Sequence, residues 1–297
     1  MKKKKSKLNL KPLLFLIIVI VAVFAIIKIS QKHNKTNTPN QPTNGSQVSS
    51  NTEEVKEPEI SEVEKINQQR KTCSEITTER NIPVLMYHFF YDAQAGETGR
   101  DNNYMEIHDF EEQIKYLAEN NYYVPSWDEL EDFVNGKIGL PEKSIIITVD
   151  DGDESFYKLA VPVLEKYNFY ATSFLITSWY PDRPEKYTSD VIDYQSHSND
   201  MHKAGSDGKG AILTLDYESA CQDLNESKRI TGDKCKVFCY PFGHYNERAK
   251  KILKDCGFTM AFTVEGGYVT PGMDLYQLPR VRMSKGISLN SFITKIK

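Results

Sequence analysis

Residues 144–152 read Ser144-Ile145-Ile146-Ile147-Thr148-Val149-Asp150-Asp151-Gly152. Every residue from Ile145 to Val149 is β-branched, with no polar alternation, as expected of a strand covered on both faces in a parallel sheet. The run ends abruptly in two acids and a glycine. Successive strand residues point to opposite faces. Two adjacent carboxylates can therefore aim at one place only if the chain turns there, and Gly152 makes such a turn cheap. Asp-Asp-Gly is also an ordinary turn, so by itself it marks only a place to search.

The same logic extends to both sides. Residues 82–87 (IPVLMY) read as a buried strand closed by His88, and 109–120 as an amphipathic helix with Phe110, Ile114 and Leu117 on one face. Residues 122–124 suggest a short strand. Ser126 caps a helix running to Val134, with Glu129 completing a capping box. Further along, 154–167, 215–230 and 246–256 read as helices, and 170–176, 191–195, 237–240 and 259–264 as strands. Gly257 stops the third of those helices. Residues 59–70 suggest one more short helix. Repeated strand–helix units imply parallel strands with helices outside, in a barrel or an open sheet. In either, the loops at the strand C-termini carry the chemistry.

The chain has 297 residues, 39% hydrophobic and 26% charged, with 17 Tyr and 14 Phe. That is too much burial material for a disordered chain. The formal charge of −4 includes Lys2, Lys3, Lys4, Lys5, Lys7 and Lys11, so the remainder is markedly acidic. Such a body argues against a nucleic-acid partner, whose binding rests on neutralising phosphates. Residues 1–11 form a basic tail. Residues 13–27 (LLFLIIVIVAVFAII) are unbroken apolar sequence without a polar face, and 12–29 are expected to form a transmembrane anchor flanked by Lys11 and Lys28. A cleaved signal peptide is the rival reading, but no small-x-small cleavage site follows the run. Residues 30–80, rich in Asn, Thr, Ser, Gln and Pro, read as a flexible, disordered linker, leaving 81–297 as the folded domain. The expectation is a single-pass cell-membrane protein with a cytoplasmic tail and an extracellular domain. The five cysteines allow the pairs Cys221–Cys235 and Cys239–Cys256 with Cys73 single, or buried free thiols throughout.

Three more strand-end features accompany Asp150 and Asp151. His197-Ser-Asn-Asp-Met-His202 places two imidazoles five residues apart, which converge only if the segment is a loop. Tyr240-Pro241-Phe242-Gly243 is a turn that can present a backbone N–H. His88 ends the first strand. Each alone has an ordinary structural explanation.

Together, and in this order, these residues resemble the polysaccharide deacetylase family, carbohydrate esterase family 4, over roughly residues 82–290. TVDDG resembles that family's first motif with Val149 in place of Phe; HSNDMH resembles its His-x-x-x-His motif with one extra residue; YPFG and DCGFTMAFT (255–263) resemble its third and fourth. The extra spacing, YPFG, the Tyr-His strand end and LPRVRM (278–283) resemble the branch that de-N-acetylates poly-β-1,6-N-acetylglucosamine, the intercellular adhesin of biofilms.

The resemblance implies an irregular (β/α) barrel of about seven strands, NodB-homology-like, within the α/β class. It implies one divalent metal ion, Zn first, with Co, Ni or Fe as alternatives, held by Asp151, His197 and His202. Asp150 would be the catalytic base and His88 the catalytic acid, with Tyr240, Phe242 and Gly243 at the substrate and oxyanion. Trp179, Tyr180, Tyr245 and Phe242 are candidate sugar platforms. The family's motif arginine is replaced by Cys239, so Arg280 or Arg282 would orient the base. Residues 177–194 show no evident helix, which suggests a barrel incomplete on that side. The implied partner is an extracellular N-acetylglucosamine polysaccharide, bound by a monomer. Alternatives are an N-deacetylase acting on peptidoglycan or chito-oligomers, an inactive cell-wall sugar-binding protein, and a redox or adhesion protein built on the cysteines.

Overall fold

The β-branched run folds as the strand β6 (Ile146–Asp151) at the centre of a parallel sheet. A computed structural model describes residues 60–73, 76–77 and 81–297. In chain order the described residues form α1 (Glu62–Thr72), β1 (Ile76–Thr77), β2 (Val84–Tyr87), β3 (Phe89–Tyr91), β4 (Tyr104–Glu106), α2 (Ile107–Glu119), α3 (Trp127–Val134) and β5 (Leu140–Pro141). After β6 come a π-helical turn (Phe156–Ala160), α4 (Val161–Tyr167), β7 (Ala171–Leu175), α5 (Arg183–Lys186), β8 (Ile192–Ser196), α6 (Tyr217–Thr231), β9 (Val237–Cys239), α7 (Glu247–Asp255), β10 (Met260–Gly266), β11 (Leu278–Arg282) and α8 (Leu289–Lys295).

Seven of these strands close a barrel in the order β10-β11-β2-β6-β7-β8-β9, every pairing parallel. Alternation along β6 sorts its side chains. Ile146 packs inside with Val84, Phe174, Val237, Phe262 and Leu278. Ile147 and Val149 instead face the helices, against Phe110, Ile114 and Leu164. Thr148 and Asp150 continue the inward row, so the base candidate lies on the barrel's inner face. Trp127, Leu130 and Phe133 of α3 join the interior cluster and plug the N-terminal end of the barrel. The Ser126–Glu129 capping box starts that helix as expected.

Several expectations shift. The barrel is closed: β7 pairs β8 over five residues and β8 pairs β9 at Ser196–Phe238, with α5 in the connection thought to lack a helix. The helix expected over 154–167 forms without a break, but its middle, Phe156–Ala160, is π-helical, and Pro162 follows directly on that wider turn. The strand expected over 122–124 is a single bridge, Tyr123 to Ser144. Strand β11, helix α8 and the β3–β4 ribbon were not expected. Helix α1 is docked rather than part of a tether: Val63 is buried, Asn67 exchanges hydrogen bonds with the Val124 backbone, and Arg70 donates to the Tyr167 and Asn168 carbonyls. The basic tail, the expected anchor over 12–29 and the linker up to residue 59 lie outside the described residues. Among the described residues no helix is long and apolar enough to cross a membrane.

The cysteine pairing differs as well. Cys221 on α6 bonds Cys256 beyond α7, while Cys235 and Cys239 are buried free thiols and Cys73 is exposed. Cys239 lies on β9, facing the barrel interior beside Asp150, out of reach of Cys256.

Candidate active site

At the C-terminal end of β6 the chain does what two convergent acids require. Asp151 (φ 74°) and Gly152 (φ 83°) both take left-handed backbone, and the Gly152 amide donates to the Asp150 carbonyl at 3.0 Å. Left-handed backbone is unfavourable for an L residue such as Asp151, and it is the device that aims Asp151 away from its strand face. A Cβ on Gly152 would meet Leu175 Cδ1 at 2.3 Å, so only glycine fits there.

Asp150 is 2% exposed. Arg280 of β11 grips it in a bidentate pair, Nη1 to Oδ1 and Nη2 to Oδ2, both at 2.7 Å. The guanidinium is itself fully buried and donates further to Thr148 Oγ1, the Thr263 carbonyl and Cys239 Sγ, each at 3.0 Å. Burial pushes the Asp150 carboxyl up, but Arg280 outweighs it and holds the group far below the usual carboxylate range. Asp150 is thus an ionised acceptor, and Arg280 rather than Arg282 is its partner. Arg282, two residues on, is exposed and pairs with Asn103. The Cys239 thiol is pushed up by burial and stays protonated beside this pair.

His88 Nε2 stands 3.8 Å from Asp150 Oδ2, with the side chain 16% exposed. Burial lowers the His88 pKa against the pull of Asp150 and Asp151, which makes its protonated form a stronger acid.

Two imidazoles converge on the other acid. His197 Nε2 lies 3.5 Å and His202 Nε2 3.6 Å from the same oxygen, Asp151 Oδ1. The five-residue spacing works because the intervening loop is pinned. Ser198 takes φ 73°, its Oγ accepts from the Met201 amide, and Met201 is buried. Asp223 on α6 accepts from the Asn199 and Asp200 amides at 2.8 and 2.7 Å. His197 Nδ1 contacts the Cys239 carbonyl at 2.8 Å, a contact only an N–H can make, which leaves Nε2 facing Asp151. Burial alone would lower the His197 pKa, but Cys239 and Asp151 raise it well above normal; burial lowers that of His202. One carboxylate oxygen and two ring nitrogens thus aim at one point, at separations too long for good hydrogen bonds. The three ligand atoms lie within 4.8 Å of one another. This oxygen–nitrogen–nitrogen set fits a zinc-like divalent cation.

The turn after β9 supplies the rim. Phe242 (φ 60°, ψ 6°) is 45% exposed, its ring 4.3 Å from that of His202. Gly243 (φ 72°) leaves no space for a side chain against Val264. Trp179, 50% exposed, also packs on His202, at 5.3 Å between ring centres. Tyr180 and Tyr245 are half-buried, Tyr245 stacking on Tyr240. Tyr240 does not reach the cleft. It is fully buried and its hydroxyl donates to the Tyr276 carbonyl, because Pro241 turns the chain only after it. The sequence reading missed Thr148, Thr263 and Asp223, which hold Arg280 and the histidine loop. Thr148 and Asp223 act through their side chains and Thr263 through its backbone carbonyl, roles visible only once the strands are paired. A cavity of about 780 Å³ lies at the opposite end of the barrel, lined by Trp127, Asp193, Gln195 and Tyr170, and takes no part in this constellation.

Residues 137–261 match the model of the family described as polysaccharide deacetylase; the match includes Asp150, Asp151, His197, His202 and Phe242 but not His88 or Arg280. Over 194 residues the chain is 28% identical to a poly-beta-1,6-N-acetyl-D-glucosamine N-deacetylase of Staphylococcus aureus, covering 59% of this chain and 66% of that protein, just under two thirds of its length. It is 27% identical over 227 residues to the enzyme of the same name from Staphylococcus epidermidis, covering 70% of this chain and 76% of that one. Among solved structures, IcaB from Ammonifex degensii is 26% identical with a TM-score of 0.59, covering 72% of this chain and 94% of that chain. The parallel seven-stranded barrel, the paired acids and histidines at its C-terminal mouth and these likenesses agree: the chain carries a polysaccharide deacetylase domain.

Proposed function

We propose that this domain is a hydrolase that removes N-acetyl groups from an extracellular N-acetylglucosamine polymer, poly-β-1,6-N-acetylglucosamine, releasing acetate. The observation that carries the reading is the separation of the two acids. Asp150 is committed to Arg280 and ionised, while Asp151 faces His197 and His202. Neighbouring carboxylates so divided suit a proton acceptor beside a cation site.

Asp151, His197 and His202 would hold one divalent cation, Zn in the first instance, with Co, Ni or Fe as substitutes. When bound, such an ion polarises an acetyl carbonyl and acidifies water. Asp150, held in one orientation by Arg280, takes the proton from the attacking water at its Oδ2 edge, on the side of His88. The backbone amide of Phe242, in the turn beside His202, donates to the developing oxyanion; one such donor is typically worth about 3–4 kcal/mol. His88, adjacent to Asp150, gives its proton to the departing amine. The exposed rings of Trp179 and Phe242, both packed on His202, flank the sugar. The names of the staphylococcal relatives favour the β-1,6-linked polymer over peptidoglycan or chito-oligomers. An N-terminal anchor at residues 12–29 would hold a monomeric enzyme at the outer face of the cell membrane, where such a polymer emerges.

The test is acetate release by the purified chain, loaded with Zn or Co, from defined β-1,6 and β-1,4 N-acetylglucosamine oligomers. Release from β-1,6 oligomers is expected, with His88→Ala slower by about 10²–10⁴. Metal and polymer binding without any acetate would instead favour an inactive sugar-binding protein.

A further inference from the structure

The connection from β7 to β8 buries a cation that the reaction above does not use. Arg183, the first residue of α5, is 5% exposed. Its guanidinium carbon lies 4.6 Å from the ring centre of Tyr180 and 5.5 Å from those of Tyr157 and Tyr187. Its nearest carboxylate oxygen, Asp182 Oδ1, is 3.8 Å away on a side chain 60% exposed. A pair that distant and that wet contributes little. A guanidinium is costly to bury, and aromatic faces offset the cost only in part. The remaining contact is specific: Nε donates to the Gly152 carbonyl at 3.3 Å.

Gly152 is the second of the two left-handed residues that aim Asp151. A strained turn of this kind persists only where its surroundings over-determine it. The same connection supplies further restraints. Tyr187 Oη donates to Glu154 Oε1 at 2.9 Å, and Lys186 reaches that oxygen at 3.4 Å. Tyr194 Oη on β8 donates to the Arg183 and Tyr187 carbonyls, fastening α5 to the barrel. At its other end the connection holds the histidine loop: the Thr177 and Ser178 amides donate to the Ser198 and Asn199 carbonyls at 3.2 and 3.0 Å. One segment therefore braces both stretches of chain that carry the candidate ligands.

We propose that Arg183 is a positioning residue for the cation site. Caged by Tyr157, Tyr180 and Tyr187, it holds the Gly152 carbonyl and so fixes the Asp151 carboxylate toward His197 and His202. It thereby sets the affinity for the divalent ion. The inference rests on the reading of Asp151, His197 and His202 as that ion's ligands. Lysine is a poor substitute, because a point charge on a flexible stem cannot lie flat among three rings and donate in a fixed direction.

The test titrates Zn(II) and Co(II) into metal-stripped full-length chain, against a competing chelator, and records the Co(II) absorption spectrum. Arg183→Met is expected to bind both ions about 10- to 100-fold more weakly, the range typical of groups that orient a ligand, with a changed Co(II) spectrum. Arg183→Lys is expected to lose at least about fivefold, on the same grounds. Lys250→Met serves as the control for general destabilisation. It removes another buried cation, one bonded to Glu247, Asp274 and Gln277 rather than to the site. It is expected to melt earlier and to bind metal as the wild type does. Wild-type affinity in Arg183→Met overturns the proposal, as does an equal loss in Lys250→Met. If Arg183→Met does not fold, wild-type affinity in Arg183→Lys overturns it. Failure of the wild-type chain itself to bind either ion removes the cation site, and the proposal with it.

Discussion

Arg280 and Asp150 meet inside the barrel through two 2.7 Å hydrogen bonds, from strands that lie on either side of β2. The pair takes the place of the arginine that the family motif would set at Cys239, from a different strand. Cys239 remains as a neutral neighbour, its Sγ 3.0 Å from Arg280 Nη2 and 3.6 Å from Asp150 Oδ2. Both charges are almost wholly buried, so each depends on the other.

Arg280→Met should therefore leave a buried, unpaired carboxylate. A loss of about 3–5 kcal/mol in stability is expected, as for other broken buried pairs, together with a fall of at least about 100-fold in acetate release as the base becomes protonated and loses its orientation. Urea denaturation and acetate assays read the two effects. Turnover within tenfold of the wild type would remove Arg280 as the base's partner.

Asp150→Asn separates the roles of the two acids. Acetate release should drop by about 10²–10⁴, while Zn binding, followed by calorimetry, stays close to the wild type because Asp151, His197 and His202 are untouched. Parallel loss of both would contradict the division of labour.

Gly152→Ala probes the turn itself. Its new Cβ would sit 2.3 Å from Leu175 Cδ1 in a backbone conformation of φ 83°. A destabilisation of about 1–3 kcal/mol is expected from the strain alone. Combining it with Leu175→Ala should relieve the collision but not the backbone cost, so the two changes should prove non-additive in denaturation experiments.

Glu129 links stability to pH away from the site. Burial would raise its carboxyl pKa, but Lys71, Tyr123 and the Ser126 amide bring it below the ordinary 4.5. A carboxyl depressed in the folded state stabilises above its unfolded pKa and loses that contribution as pH falls through its folded value. Glu129→Gln should thus cost about 1 kcal/mol at pH 7, and the difference should shrink steadily below pH 4.5. A gap between the two proteins that is constant from pH 7 to pH 3 would refute this.

Much of the fold was legible because its signals are local. The run Ile145–Val149, the Ser126–Glu129 box and the face formed by Phe110, Ile114 and Leu117 each announce an element through spacing alone. Strand β11 escaped because Pro279, Arg280 and Arg282 break the apolar pattern. Arg280 nevertheless sits inside the barrel because its charge is met there by Asp150. Helix α5 escaped because it is a four-residue turn with no periodicity to detect.

The sequence by itself determined the alternation of strands and helices and the donor types at the strand ends: Asp150, Asp151, His88, His197 and His202. These follow from β-branching, amphipathic spacing and turn chemistry, all properties of neighbouring residues. The tertiary structure alone decided that Arg280 and not Arg282 holds Asp150, that Cys221 bonds Cys256, and that Tyr240 faces the core. It also decided that two histidines five residues apart converge on one oxygen of Asp151. The place of Arg280 depends on strand register, where a shift of one residue would turn it to the opposite face; the disulfide depends on how α6 packs against α7, and the histidines on how their loop is pinned.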